Sequence, residues 1–149
     1  MKRISFTLSF LLFTMLGIAE NLKFMGTPMG CNIQNFTEQI RQRYPLQKKV
    51  GGDNYYIFKG NVYGHDSYLK AEYSRKTKIV YKITVTPKQI DQNALADSIV
   101  SHYGMPLEVK GGYRWNVIGG TIFLYTPEGY DPVLMYFDTK GVETFKKEQ

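Results

Sequence analysis

Asp66-Ser-Tyr-Leu-Lys-Ala-Glu-Tyr-Ser-Arg-Lys-Thr-Lys-Ile-Val-Tyr-Lys-Ile-Thr-Val-Thr86 carries the period of a β-hairpin in both arms. In the second arm Ile79, Tyr81, Ile83 and Val85 alternate with Val80, Lys82, Thr84 and Thr86. In the first, Leu69, Ala71 and Tyr73 alternate with Tyr68, Lys70, Glu72 and Ser74. Successive side chains leave a strand on opposite sides, so this period describes two strands with one buried and one wet face. Placing both apolar sets on one face requires paired residue numbers with an even sum. Tyr73 is therefore expected opposite Tyr81 or Ile79 rather than Val80, with three or five residues in the loop around Lys76.

Ahead of the hairpin, residues 55–63 alternate as a preceding strand, with Tyr56, Phe58 and Val62 on one side and Tyr55, Ile57, Lys59 and Tyr63 on the other. Upstream of that, Asn32 can cap a helix whose Ile33, Phe36, Ile40 and Tyr44 form one apolar stripe before Pro45 stops it. Downstream of Pro87, Asp91 can cap a second helix running through Leu95, Ile99 and Tyr103 to Gly104. Three further alternating runs, 113–118, 121–126 and 133–138, are separated by Gly119-Gly120 and Pro127-Glu128-Gly129-Tyr130 and read as a meander. Residues 22–25 suggest a short edge strand. The polar tail 139–149, with Val142 and Phe145 as its apolar residues, suggests a turn of helix against the core.

Phe36, Glu38, Ile40 and Tyr44 recur in type as Leu95, Asp97, Ile99 and Tyr103, each 59 positions later. The expected fold is α+β: two helices packed on one face of an antiparallel sheet of about six strands, organised as two helix-plus-three-strand units, about 20–87 and 88–138, within one domain. The second face would then carry Tyr55, Ile57, Lys59, Tyr63, Tyr68, Lys70, Glu72, Lys82, Arg114 and Asn116, with nothing left in the chain to cover it.

Lys2 and Arg3 precede an uncharged apolar run over residues 4–18 that ends in small residues. Residues 1–19 thus read as a signal peptide cleaved between Ala19 and Glu20, and a membrane anchor would need a longer run. The full chain's net charge of +6 falls to +4 without Lys2 and Arg3. That is too mild and too dispersed for a nucleic-acid footprint. Cys31 is the single cysteine, so the chain has no internal disulfide. Thr27-Pro28-Met29-Gly30 lacks the leucine of a lipid-attachment box and lies far from the apolar run, which disfavours a lipoprotein and points to a small buried thiol. The expected location is the periplasm or the medium.

Catalytic chemistry finds few residues. Only His65 and His102 could serve as a base. His102 falls in a last helical turn, where the dipole favours histidine, and His65 sits in a turn beside Asp66. No His-Glu-x-x-His, histidine pair or cysteine cluster occurs, so no metal is expected. The doubled glycines at 51, 111 and 119 lack phosphate-loop spacing, and no cofactor is expected. Asp66, Glu72, Asp97, Glu108, Glu128 and Asp131 form no helical pair, although tertiary pairing stays open. The Asn35-Phe36-Thr37 sequon contains a residue of the buried stripe.

Aromatic content is the feature that stands out, with 12 Tyr, 9 Phe and 1 Trp. Tyrosine suits strands, and it is also enriched at binding surfaces. The reading is an exported, non-enzymatic binding module of the cell envelope that engages a protein or glycan partner through Tyr55, Lys59, Tyr68, Lys70, Lys82 and Arg114. The alternatives are a small exported hydrolase with a His65-Asp66 or paired-carboxylate centre, and a structural factor of envelope assembly.

Leu22-Lys23-Phe24-Met25-Gly26-Thr27-Pro28-Met29-Gly30 ahead of a helix with Phe36 and Ile40, and the later Tyr103-Gly104-Met105-Pro106 turn, resemble small exported proteins of gut Bacteroidota with no assigned activity. The helix-plus-strands repeat is similar in architecture to the β-lactamase inhibitor protein, which grips an enzyme with an open sheet face. Shorter units and the lack of cysteine pairs set this chain apart from it, and an analogy of fold implies no function.

Overall fold

The computed structural model describes residues 20–149, so the leader expected over residues 1–19 lies outside the described residues. The alternating runs make up most of a single antiparallel sheet. Its strands are β3 (Leu46–Val50), β4 (Tyr55–Val62), β5 (His65–Tyr73), β6 (Val80–Pro87), β7 (Leu107–Val109), β8 (Gly112–Val117), β9 (Gly120–Tyr125) and β10 (Val133–Asp138). Their spatial order is β3-β4-β5-β6-β10-β9-β8-β7, two four-strand meanders that meet through their last strands, β6 and β10. Ahead of them β1 (Lys23–Phe24) and β2 (Thr27–Pro28) form a separate two-stranded ladder. Its turn holds Met25 at φ 47° and Gly26 at φ 82°, the two positive values that a tight hairpin with the sheet's own twist requires.

Three helices complete the fold among the described residues: α1 (Ile33–Ile40), α2 (Gln92–Tyr103) and α3 (Thr139–Lys147). Each starts at a side-chain cap. Asn32 accepts from the Gln34 N–H, Asp91 from that of Ala94, and Asp138 from that of Gly141. α1 stops at Ile40, a turn short of the expected Tyr44. Pro45 disfavours helical backbone at the residue before it, and Tyr44 is reached through a tight turn on the Ile40 carbonyl. Tyr44 is buried nonetheless, and its hydroxyl donates to the Asn61 carbonyl at 3.0 Å.

The expectation of two helices on a six-strand sheet is corrected. Among the described residues the fold is mostly β, 44% strand against 22% helix, with eight strands in the main sheet and three helices. The added strands are the two edges, β3 and β7, so α1 and α2 are each followed by four strands rather than three. Edge strands have one unpaired side and bury little, and neither β3 nor β7 contains a buried side chain. The short strand expected over residues 22–25 belongs to the β1/β2 ladder and not to the sheet edge.

The hairpin register also differs. From Ser67↔Pro87 to Glu72↔Lys82 the sums are even, as expected, but a bulge then places Tyr73 opposite Val80. Ser74 bonds Ile79 across the turn, leaving four residues in the loop. The bulge brings Val80 onto the buried face and releases Tyr81 from it. Tyr81 stacks instead on Phe145 of α3, with ring centroids 4.3 Å apart. The C-terminal tail, expected as a turn of helix against the core, is a nine-residue helix that packs at this end of the sheet.

The core lies between the sheet and α1, α2 and the β1/β2 ladder. Phe36 meets Phe58 edge-on, Ile33, Ile40, Leu95 and Ile99 are buried, and Phe24 packs between Tyr44 and Tyr136. Cys31 is half-buried with its thiol toward the Pro28 carbonyl, and burial raises its pKa.

Candidate functional site: the second face of the sheet

Register sets out this face row by row. Lys48, Ile57, Lys70, Thr84, Met135, Phe123, Arg114 and Leu107 stand opposite one another in turn across all eight strands. On one side of this row lie Lys59, Tyr68 and Thr86. On the other lie Val50, Tyr55, Glu72, Lys82, Phe137, Thr121 and Asn116. Period two thus brings Tyr55, Lys59, Tyr68, Lys70, Lys82 and Arg114 onto one surface.

The lysines are held by rings. The Lys70 ammonium lies 4.5 Å from the centre of the Tyr55 ring, Lys82 5.4 Å from Phe137, and Lys59 5.8 Å from Tyr68. Attraction to the ring quadrupole and burial of the aliphatic stem both favour this pose. Glu72 sits between Lys70 and Lys82 at 3.6 Å from each, so one carboxylate offsets two ammoniums. Counting Lys48, Lys59, Lys70, Lys82 and Arg114 against Asp66 and Glu72, the face is basic. Arg114 stands opposite Phe123 and Leu107, and its Nε is buried with no hydrogen-bond partner among the described residues. A buried donor without an acceptor is costly.

Tyr63 does not belong to this surface. It follows the end of β4 in a turn with φ 51°, and its hydroxyl bonds that of Tyr136 at 2.9 Å on the core side. Its ring lies against His102. Burial pushes the Tyr63 hydroxyl up to about 12, offset in part by that hydrogen bond, and Tyr136 rises for the same first reason.

The hydrolase alternative gains no assembled centre. His65 and Asp66 line an open recess of about 440 Å³ with Asn61, Gly64, Lys88 and Gln89. The nearby Ser67 is buried and donates its hydroxyl to the His65 carbonyl rather than to an imidazole. His102 Nδ1 faces the Ser98 carbonyl and the Ser101 hydroxyl, a chain without a carboxylate. Among the described residues no group of three or more His, Cys, Asp or Glu side chains could hold a metal. Among them, too, no helix is long and apolar enough to cross a membrane.

No protein-family model, curated protein or solved structure matches the chain. Neither resemblance read from the sequence gains support from a match, and the ground for a functional reading is the face itself.

Proposed function

We propose that the protein is an exported, non-enzymatic binding module that holds an acidic protein partner on the second face of its sheet. The observation that carries this reading is the unbroken row from Lys48 to Leu107, in which the cations Lys48, Lys70 and Arg114 are interspersed with Ile57, Thr84, Met135, Phe123 and Leu107 across eight strands. Its size suits a protein. The three rows hold eight, seven and three residues, and at about 4.8 Å between strands and about 6.8 Å between alternate residues these cover roughly 600 Å². A specific interface buries about 800 Å² on each partner. Its charge suits an acidic one, since complementary potentials steer association and reject like-charged surfaces. Export rests on Lys2, Arg3 and the apolar run after them.

The test has two parts. Protein recovered from the envelope or medium of its host is sequenced from its N-terminus. A start at Glu20 supports export, and a start at Met1 overturns it. A partner captured there is then purified and titrated against the protein carrying Lys70→Glu and Lys82→Glu. Affinity that falls at least about tenfold, about 1.4 kcal/mol, and weakens with salt supports the face. Unchanged affinity in the variant overturns it, as does capture of glycans alone.

A further inference from the structure

At the Tyr68 end of the face, away from α3, a groove of about 280 Å³ opens between Tyr68, Pro87, Lys88, Tyr130, Asp131 and Pro132. Tyr130 is 76% exposed and Tyr68 40%, and no other aromatic side chain among the described residues is as open as Tyr130. The loop that carries Tyr130 is braced. Its N–H bonds the Pro127 carbonyl at 3.1 Å, Gly129 takes φ 79°, and prolines stand at both ends. A ring presented by such a loop loses little freedom on contact, which is how tyrosine anchors work at interfaces. Across from Tyr130 the Lys88 ammonium lies 5.2 Å from the centre of the Tyr68 ring, and Lys88 lines the groove. The Lys88 main chain is held by its N–H, which bonds the Asp66 carbonyl at 3.0 Å.

We infer that this groove is the anchor of the interface, taking an aromatic side chain of the partner with a carboxylate beside it. The ring enters between Tyr68 and Tyr130, and the carboxylate meets the Lys88 ammonium. Asp131 on the same wall accepts an N–H or O–H from the partner. Buried aromatic anchors beside charge-assisted contacts are where interface energy concentrates. The inference rests on the reading of the face as a protein-binding surface, and it adds which end carries the energy and what chemistry enters there.

The probe is para-hydroxyphenylpropionate, an aromatic ring with a carboxylate, titrated into the isotope-labelled protein and followed by amide chemical shifts. The expected result is millimolar binding that moves Tyr68, Lys88, Tyr130 and Asp131 and is abolished by Tyr130→Ala. Lys88→Ala reduces it to the several-fold weaker level of neutral para-ethylphenol. No movement at these residues overturns the inference, as does binding indifferent to Lys88→Ala, or a response to D-glucuronate alone, which would make the groove a saccharide site. The partner titration separates the two readings. If Tyr130→Ala keeps full affinity while the Lys70 and Lys82 reversals lose it, the anchor falls and the face stands. If neither variant loses affinity, both fall.

Discussion

The hydroxyls of Tyr63 and Tyr136, 73 residues apart in sequence, share a 2.9 Å hydrogen bond beneath α2. One closes the turn between β4 and β5, and the other is fully buried in a central strand. The pair thus ties the first meander to the second. Because burial raises Tyr63 from 10.0 to about 12, the folded protein keeps its proton over a range where the unfolded chain releases it. Stability from this group is complete below pH 10 and is lost as pH climbs toward 12. A shift of two pH units corresponds to about 2.7 kcal/mol. Urea midpoints measured across that range should fall steeply, and Tyr63→Phe should flatten the fall. An equal slope in the variant would place the alkaline loss elsewhere.

Gly60 lies under the Tyr44 ring. A methyl group added there would overlap the ring and come within 2.9 Å of the Arg43 carbonyl, which is backbone and cannot swing away. Gly60→Ala should therefore cost about 1–3 kcal/mol by overpacking. Tyr44→Leu should cost less in the Gly60→Ala background than alone, since the clash is already relieved. A double-mutant cycle of denaturation midpoints reads this coupling, and additive costs would refute it.

How much of the fold is legible in the chain depends on burial. β4 to β6 and β8 to β10 alternate because one side of each faces the core, and Asn32 and Asp91 announce α1 and α2. β3, Leu-Gln-Lys-Lys-Val, and β7, Leu-Glu-Val, bury no residue and so leave no period to read. The bulge at Tyr81 is invisible because Val80 and Tyr81 are both apolar, and either can serve as the inward residue until α3 takes one of them. The six face residues are legible, since period two in neighbouring strands places them on one side. Tyr63 is not, because it lies past the last paired residue of β4, where alternation no longer governs direction. The groove escapes because Tyr130 reaches it from a loop, and loop sequence shows turn chemistry but not where the turn points.

The N-terminal segment bears on how the chain is processed. Leu22, Phe24 and Met29 are each at most 2% exposed, and the Leu22 N–H bonds the buried Asp138 carboxylate at 2.9 Å. Deleting such a side chain costs about 2–5 kcal/mol, and losing three approaches the whole stability of a small domain, about 5–15 kcal/mol. A chain beginning at Cys31, as a lipoprotein matured at that residue would, should fail to fold, whereas one beginning at Glu20 keeps the core intact. Circular dichroism melting of the two truncations decides the point. A cooperative transition in the chain from Cys31 would show that the β1/β2 ladder is dispensable.

Glu72 is the carboxylate that moderates the face. Its contacts with Lys70 and Lys82 are partly exposed, with side-chain exposures of 18% for Glu72, 41% for Lys70 and 27% for Lys82. Pairs of this kind contribute about 0–1 kcal/mol to stability. Glu72→Gln should therefore leave the melting temperature nearly unchanged. Its effect is on the field: the variant frees two ammoniums from their shared counter-charge while Tyr55 and Phe137 still hold both stems in place. It should elute later from a cation exchanger and associate faster with an acidic partner at low salt, a gain that disappears as the Debye length shrinks. A large loss of stability would mean that Glu72 organises the sheet, and unchanged elution would mean that Lys70 and Lys82 find another carboxylate.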